Sequence, residues 1–404
     1  MKICILTASI VHGGASIIAL DVAKGMAARG HEVFVVCSGK HYKTIKQDGY
    51  IIYILSNKFK NPIFHYLNLF LLIKLIKLLR KKQPDVIHVH NINLQTFSLG
   101  TLLLSRFFPM VWTLHDIWPL CLTGWPPVPD CNGMLDGCEL CPTWSRWIVW
   151  INRQLKEATY RLAKLHIVSP SKWLLSKVSS STLSRHSLHL IYNGIDPGSY
   201  LSNQRELARS RLGISETKKV ILFCGGKRLA GQSPAWRKGW GYLCEALGVL
   251  GLKYDNLYLL YIGDRLELPP AFPTTVSFVE GVHREEMRGF LNASDIFVLP
   301  TIADHPALTV IEAMAFKTPV ISTRAGGIPE AVIDNETGLL CPSRNAAALV
   351  EKIDYLISNP LHAAQIAELA YQRFNEFFTF NRMIDQYEAV YHDTISDYKA
   401  GNRT

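Results

Sequence analysis

The sequence lacks an apolar run long enough to cross a membrane. The longest run, Ile63 to Ile73, contains His65 and Asn68 and is shorter than the roughly 20 residues that a spanning helix needs. The apolar run Lys2 to Thr7 is too short for a signal peptide and a glycine loop follows it, so we interpret it as a buried first strand. We therefore expect a cytoplasmic protein.

The cysteine pattern of a secreted, disulfide-linked protein is also missing. The nine cysteines are an odd number without a secretion signal, which favours thiols or a metal site. Charged residues make up only 19% of the chain and hydrophobic residues 48%, as in a well-buried globular protein. A length of 404 residues exceeds what one hydrophobic core usually supports, so we expect two domains.

Acidic residues are too few to balance the basic ones, and the net charge is +10. This excess indicates an anionic partner, such as nucleic acid, a membrane surface or a phosphorylated substrate. The basic residues do not form a known nucleic-acid motif, so nucleic acid is not expected. Neither a G-x-G-x-x-G dinucleotide motif nor a D-x-D type of metal motif is evident, so no catalytic metal is required.

Short apolar runs alternate with helical patterns in the first half of the chain, which predicts a doubly wound parallel sheet. The predicted strands are Lys2–Thr7, Glu32–Cys37, Ile51–Leu55, Asp85–His90, Met110–Leu114 and His166–Ser169. The predicted helices are Ser16–Arg29, Pro62–Lys82 and Trp144–Lys164.

A second α/β series follows the turn signal Asn193-Gly194, which we expect to separate the two domains. Its predicted strands are Lys219–Cys224, Leu257–Ile262, Val276–Val279, Ile296–Leu299 and Pro319–Thr323. Its predicted helices are Gly239–Leu250, Glu285–Asn292, Ala307–Phe316 and Ala346–Ser358, and the tail is helical and rich in aromatic residues. Ligands of such folds bind at the carboxyl ends of the strands.

Residues 298–330 carry the most specific pattern. Pro306 should open a helix, because proline fits the first helical turn and not a helix interior. Asp304 then lies on the loop before this helix, and Glu312 lies further along it. Such a pair of carboxylates suits a sugar nucleotide, because one can bind sugar hydroxyls and the other ribose hydroxyls.

The start of the same helix is a predicted anion site. Its first N–H groups, near Leu308 and Thr309, have no partner within the helix and point back at the loop. A phosphate group of the sugar nucleotide would fit between the two acids.

The segment resembles the E-x7-E block of retaining glycosyltransferases with the GT-B fold, in glycosyltransferase family 4 (group 1). In that block the first acid contacts the donor sugar and the second the nucleotide ribose. Asp304 stands where the family has Glu, Glu312 matches, and the stretches EAMA, PVIST and AGGIPE follow in the family's order. The resemblance implies two Rossmann-like domains facing a cleft: 1–193 for the acceptor and 194–375 for the nucleotide sugar. It also implies a last helix, 376–404, that crosses back to the first domain.

Two elements of the first domain match the family. Gly13-Gly14 follows the first predicted strand; the pair is equally consistent with a simple turn, and the resemblance places it near the donor phosphates and the acceptor. His115-Asp116 ends another strand, and the resemblance implies that His115 touches the donor sugar near the reaction centre.

Cations that could hold the diphosphate cluster after the strand Lys219–Cys224. Lys238 with the following glycine matches a family pair, whereas Gly226 occupies the position expected for arginine. Lys227, Arg228 and Arg237 remain alternatives for the missing contact. The resemblance also places the turn at Gly263 beside the nucleotide base.

Residues 115–142 form an unusual insert rich in proline and cysteine. Four cysteines, of which the last two have ligand spacing, could hold a structural zinc ion; they are Cys121, Cys131, Cys138 and Cys141. Reduced thiols that pack an acceptor loop are the alternative. The ending Gly-Cys-x2-Cys-Pro is similar to a subgroup of family 4 from bacterial polysaccharide clusters.

Residues 58–82 combine aliphatic and aromatic residues with seven cations and no acid. Such a helix can lie on an anionic membrane surface, although a core helix with a basic end has the same pattern. Docking at the inner membrane face would suit a lipid-linked acceptor.

The sequence thus favours a retaining glycosyltransferase that moves a sugar from a nucleotide donor to a lipid-linked glycan in bacterial cell-surface polysaccharide synthesis. His115, Asp304 and Glu312 are the expected catalytic residues. A non-catalytic nucleotide-binding scaffold and a sugar-nucleotide epimerase on the same fold remain the alternatives.

Overall fold

A computed structural model describes residues 1–10, 13–57, 68–92, 97–121, 146–198, 204–226, 234–304 and 307–401. The chain divides into two compact units: Met1–Asn193 with Phe380–Thr404, and Gly194–Thr379. The second boundary lies beyond the predicted residue 375, because a helix, Pro360–Phe377, runs past that position.

An eight-stranded sheet forms the centre of the first unit. Its strands are β1 (Lys2–Leu6), β2 (Glu32–Gly39), β3 (Lys43–Gln47), β4 (Tyr50–Ser56), β5 (Val86–Val89), β6 (Met110–Thr113), β7 (His166–Ser169) and β8 (Ser187–Leu190). They lie in the order β3-β4-β2-β1-β5-β6-β7-β8. The antiparallel pairing of β3 with β4 departs from the predicted all-parallel sheet, because a tight turn at Gly49 joins these two strands directly.

Helices surround this sheet. They are α1 (Gly14–Ala28), α2 (Leu69–Lys82), α3 (Arg146–Leu162), α4 (Lys172–Ser179) and the last helix of the chain, α12 (Phe380–Gly401). Asn68 begins α2 by accepting a hydrogen bond from the Leu71 amide at 3.2 Å. The first part of the helix predicted from Pro62 lies outside the described residues.

The last helix is fastened to α1 within the first unit. A Cβ on Gly25 would lie 2.6 Å from the Ile384 side chain, so the two helices touch where α1 has no side chain. Glu388 accepts hydrogen bonds from Arg29 at 2.5 Å and pairs with His31 at 2.7 Å. Glycine and charge pairing together fix α12 on the first unit.

A six-stranded sheet forms the centre of the second unit. Its strands are β9 (Lys219–Gly226), β10 (Leu257–Gly263), β11 (Thr275–Val279), β12 (Ile296–Leu299), β13 (Val320–Thr323) and β14 (Leu339–Cys341). Its helices are α5 (Arg205–Leu212), α6 (Trp240–Lys253), α7 (Met287–Ala293), α8 (Leu308–Ala315), α9 (Ile328–Ala331), α10 (Ala346–Ser358) and α11 (Pro360–Phe377).

Both sheets reverse their strand order once. The second sheet has the order β11-β10-β9-β12-β13-β14, so the reversal lies between β9 and β12. In the first sheet it lies between β1 and β5. Open α/β sheets bind ligands outside the carboxyl ends of the strands at such a reversal, so each unit has one favoured binding position.

Among the described residues, no helix is both long and apolar enough to span a membrane.

A fully buried arginine links three elements of the second unit. The Arg209 guanidinium donates to the carbonyls of Ala293 and Lys218 at 3.0 and 3.1 Å and pairs with Asp295 at 2.9 Å. Asp295 also accepts from the Val220 amide at 2.7 Å. The charge is thus satisfied at the base of β9 and β12, the two strands that flank the reversal.

We expect Arg209→Ala to lower the stability of the second unit by about 3–5 kcal/mol, because it removes the buried cation from Asp295 and leaves the buried carbonyls without their donor. The matched control is Arg205→Ala, which removes a half-exposed arginine from the same aspartate, at 2.6 Å. It should cost about 0–1 kcal/mol. Urea unfolding measures both, and equal losses would contradict the role given to Arg209.

Candidate active site

The predicted acids lie at the carboxyl ends of the second sheet. Asp304 ends the described part of the loop after β12, and Glu312 lies within α8. Both side chains are buried, with 7% and 8% of their surface exposed. The structure therefore brings both carboxylates to the strand-order reversal beside β9, where a ligand is expected.

Arg237 braces the loop that carries Asp304. Its guanidinium donates to the Ala303 carbonyl at 3.0 Å and lies 3.6 Å from the Asp304 carboxylate. Its carbonyl accepts from the Ile302 amide at 2.8 Å. This alternative for the diphosphate contact thus already supports the loop, whereas Lys227 and Arg228 lie outside the described residues.

A glycine pair lets another stretch of backbone approach Asp304. The Gly327 amide donates to the Asp304 carbonyl at 2.9 Å. Gly326 has a φ of +57°, and a Cβ there would lie 1.9 Å from the same carbonyl oxygen. The glycines of the AGGIPE stretch therefore position the first acid.

The start of α8 lies between the two acids and presents backbone N–H groups. Ala307 precedes the helix, and no side chain of the described residues caps it. The first amides of the helix, Leu308 and Thr309, thus have no intrahelical acceptor. The Thr309 hydroxyl is also buried without a hydrogen-bond partner among the described residues. These groups suit the oxygens of an anion.

Charges of both signs meet near the end of β9. Arg284 lies 3.8 Å from the Glu312 carboxylate. Burial raises the pKa of the Cys224 thiol to about 12. The charge of Lys238 lowers this pKa and the charge of Glu312 raises it. Lys238 and Glu312 therefore both lie within electrostatic reach of Cys224. Sequence reasoning missed Arg284, because it is distant from the acidic block and no local pattern marks it.

Glycines bring the ends of β9 and β10 together. Gly263 has a φ of +142°, and a Cβ there would lie 2.6 Å from the Gly226 carbonyl oxygen. Gly226 itself has a φ of +82°. The arginine expected at position 226 would be strained in this backbone, which explains the departure from the family pattern.

Gly13 and Gly14 stand at the start of α1 in the first unit. Gly13 has a φ of +95°, which favours glycine, and Gly14 is the first residue of the helix. The Gly13 carbonyl accepts from Ser16 and Ile17 at 3.1 Å each. The pair therefore lies beside the reversal between β1 and β5 and ends in a helix start.

His115 follows β6 and contacts a buried histidine. Its Nε2 lies 3.0 Å from Nδ1 of His90, which follows β5. His90 is 1% exposed, and its ring stacks on that of His115 with a centroid distance of 5.2 Å. Sequence reasoning missed His90, although the pattern His88-x-His90 at the end of a predicted strand was visible.

Helix α3 holds the segment that follows His115. The Lys156 ammonium is fully buried and donates to the carbonyls of Trp118 and Cys121. It also lies 4.1 Å from the centroid of the Trp118 ring. Tyr160 donates to the Pro119 carbonyl at 2.8 Å. These contacts fix the first residues of the predicted insert.

Only one cysteine of the proposed zinc set can be placed. Cys121 is buried in the hydrophobic core of the first unit. Cys131, Cys138 and Cys141 lie outside the described residues. Within the described ranges, no three His, Cys, Asp or Glu side chains are grouped so as to hold a metal ion.

Two family descriptions match successive parts of the chain. Residues 12–199 match Glycosyltransferase Family 4, and residues 204–373 match Glycosyl transferases group 1. Together they span both units.

Relatives and solved structures agree with this assignment. N-acetyl-alpha-D-glucosaminyl L-malate synthase of Bacillus anthracis is 25% identical over 96% of each chain. The structure is similar to sucrose-phosphate synthase from Thermosynechococcus elongatus, with a TM-score of 0.75, 18% identity and 98% and 99% coverage of the two chains. It is also similar to Anabaena HepE in complex with UDP-glucose, with a TM-score of 0.68, 19% identity and 98% and 100% coverage. At these identities the structures show the shared fold.

We expect Gly326→Ala to displace Asp304, because the new methyl group would collide with its backbone at a φ that disfavours alanine. Both the melting temperature and the affinity for nucleotide should fall. The control is Gly248→Ala, in α6, where nothing lies within 4 Å of the added carbon. It should stabilise the helix by up to about 1 kcal/mol. A Gly326→Ala protein with unchanged nucleotide affinity by calorimetry would refute the positioning role.

Proposed function

The chain is a group 1 glycosyltransferase of family 4 with the GT-B fold, and from this premise we propose which reaction it performs. It transfers a sugar from a nucleotide-diphosphate donor, with retention of anomeric configuration, to a lipid-linked glycan. The product belongs to a bacterial cell-surface polysaccharide.

One observation carries the donor assignment. Two buried carboxylates, Asp304 and Glu312, stand on either side of an uncapped helix start at the strand-order reversal. A nucleotide sugar has hydroxyl groups at both ends and a diphosphate between them, so it matches this order of acid, amides and acid. The UDP-glucose complex of Anabaena HepE supports a donor of this chemical class.

Each residue then has a defined role. Glu312 accepts hydrogen bonds from the ribose hydroxyls, and Asp304 and His115 hold the donor sugar. Lys238 and the amides of Leu308 and Thr309 face the diphosphate. Negative charge grows on the leaving diphosphate in the transition state, so fixed donors at this position lower the barrier.

The transfer step proceeds without a covalent enzyme intermediate. The bond between the anomeric carbon and the diphosphate oxygen breaks, and the acceptor hydroxyl forms the new bond on the same face. The proton of that hydroxyl passes to the leaving diphosphate oxygen. Retention thus needs no protein nucleophile, which agrees with Asp304 being held by Arg237 at 3.6 Å.

Two helices of the first unit support a membrane-associated acceptor. Helix α2 exposes Leu69 and Phe70 at one end and carries cations in its last turn: Arg80, Lys81 and Lys82. Helix α3 places Trp147 and Trp150 in solvent, with 64% and 62% exposed, while Lys156 is buried. Helices that expose apolar or aromatic side chains and also carry cations suit an anionic lipid surface.

The donor site is tested by nucleotide release from a panel of nucleotide sugars with a lipid-linked acceptor extract. Glu312→Gln should lower kcat/KM for the donor about 10- to 100-fold, because a hydrogen bond to a charged group contributes about 1.5–3 kcal/mol. Glu336→Gln, at an exposed position of the same unit, is the control and should match wild type. Equal activity of the two variants, or no turnover of any donor by wild type, would overturn the proposal.

The membrane surface is tested by co-sedimentation with anionic and neutral vesicles. Neutralising Lys77, Arg80, Lys81 and Lys82 should weaken binding to anionic vesicles by about three orders of magnitude, at about 1 kcal/mol for each cation. Trp147→Ser with Trp150→Ser should weaken binding to both vesicle types. Leu361→Ser, at an exposed leucine of the second unit, is the control. Unchanged sedimentation of both sets of variants would exclude this surface.

A further inference from the structure

Three histidines of the first unit contact one another in series. His115 Nε2 lies 3.0 Å from His90 Nδ1, and His90 Nε2 lies 3.2 Å from His88 Nδ1. The rings of His88 and His90 are also close, with centroids 4.0 Å apart. A continuous line of ring nitrogens therefore leads from His115 into the interior.

The line ends on the last helix of the chain. His88 Nδ1 lies 2.6 Å from the Tyr391 hydroxyl, and His88 Nε2 lies 2.8 Å from the Thr113 hydroxyl. The Thr113 hydroxyl lies 3.0 Å from that of Tyr387. Tyr387 and Tyr391 are both fully buried on α12, which Arg29 and Gly25 fasten to the unit.

The inner rings are neutral. Burial lowers the pKa of both His88 and His90 well below the ordinary value, and the neighbouring histidines lower these pKa values further. A neutral imidazole has one N–H donor and one acceptor nitrogen. Each contact in the line needs one donor and one acceptor, so neutral rings in series must all carry their proton on the same type of nitrogen.

We propose that His90 and His88, held by Tyr387 and Tyr391, are positioning residues that fix the ring orientation and the tautomer of His115. This inference rests on the proposed role of His115 in transfer. The contacts place His115 Nε2 against His90 Nδ1 and His90 Nε2 against His88 Nδ1, so the proton position on one ring sets the proton position on the next. One ring orientation and one tautomer are thereby imposed on His115, the residue proposed to contact the donor sugar.

A polar cluster with only a structural role would not need a continuous line of contacts that ends at a site residue. Buried polar groups are costly unless they are satisfied, and aliphatic residues occupy the neighbouring strand positions Val86, Ile87 and Val89. A fully satisfied polar network rigidifies its members. Because one end of this line is a predicted site residue, the rigidity acts on the site.

Two substitutions at position 90 separate the contacts of this residue. The side-chain amide of asparagine reaches only the position of Nδ1 in the histidine that it replaces, so it keeps the contact with His115. The longer side chain of glutamine places its amide at the position of Nε2, so it keeps the contact with His88. We expect His90→Gln to lower kcat about 10²-fold with little change in donor KM, as for misplacement of a reacting group by about 1 Å. His90→Asn should retain more activity than His90→Gln.

The control uses a second histidine pair of the same unit. His166 Nδ1 lies 3.1 Å from His189 Nε2, and the rings stack at 5.3 Å. This pair lies on β7 and β8, where no site residue is placed. His189→Asn should therefore lower the melting temperature without changing kcat.

Nitrogen NMR of the ring nitrogens gives a readout that does not need turnover. At a pH of about 8, above the ordinary His pKa of about 6.5, His88, His90 and His115 should share one tautomer. In His90→Gln, His115 should lose its single tautomer, and in His189→Asn it should keep it.

Different tautomers in the wild-type line, or an unchanged His115 in His90→Gln, would overturn the positioning role. An unchanged kcat in His90→Gln would do the same. If wild type turns over no donor, the proposed function fails, and the NMR result alone then decides whether His90 fixes His115.

Discussion

The second unit depends on the approach of one backbone to another. Gly326 lies so close to the Asp304 carbonyl that no side chain fits between them, and Gly327 donates to that carbonyl at 2.9 Å. On the other side of the loop, a Cβ on Gly239 would lie 1.9 Å from the Pro300 carbonyl oxygen. Glycine on both sides thus sets where the first carboxylate stands, and Arg237 completes its support. The sheet and the helices bring these backbone segments close together. The absence of side chains at Gly239 and Gly326 then sets how closely the segments approach.

Much of the fold follows from sequence pattern, because buried parallel strands are continuous apolar runs. The runs ending at Cys37 and Leu299 correspond to β2 and β12 in the structure. Strands β3, β8 and β14 were not predicted, because polar residues interrupt the apolar pattern of β3 and β8 and because β14 has only three residues. The sheet context, and not local propensity, makes them strands.

The residues of the candidate site likewise fall into two groups, those that the sequence predicts and those that only the structure reveals. Asp304, Glu312 and the helix start lie within a few residues of one another, so local spacing and proline chemistry predicted them. Arg284 and His90 come near Glu312 and His115 only through folding. The sequence shows His88-x-His90 at the end of a predicted strand, but it does not show which residue this pair contacts. The departure at position 226 has a local cause, since its positive φ suits glycine and strains arginine.

The position of α12 has a consequence for how the protein is made. His88 and Thr113 stand in the first sheet, but their hydroxyl partners lie on the last helix, up to 303 positions later in the chain. Until that helix is synthesised, His88 and Thr113 lack these tyrosine hydroxyls and contact only each other and the remaining residues of the sheet. The first unit to leave the ribosome is therefore completed last, and a chain shortened at its C-terminus loses part of its N-terminal core.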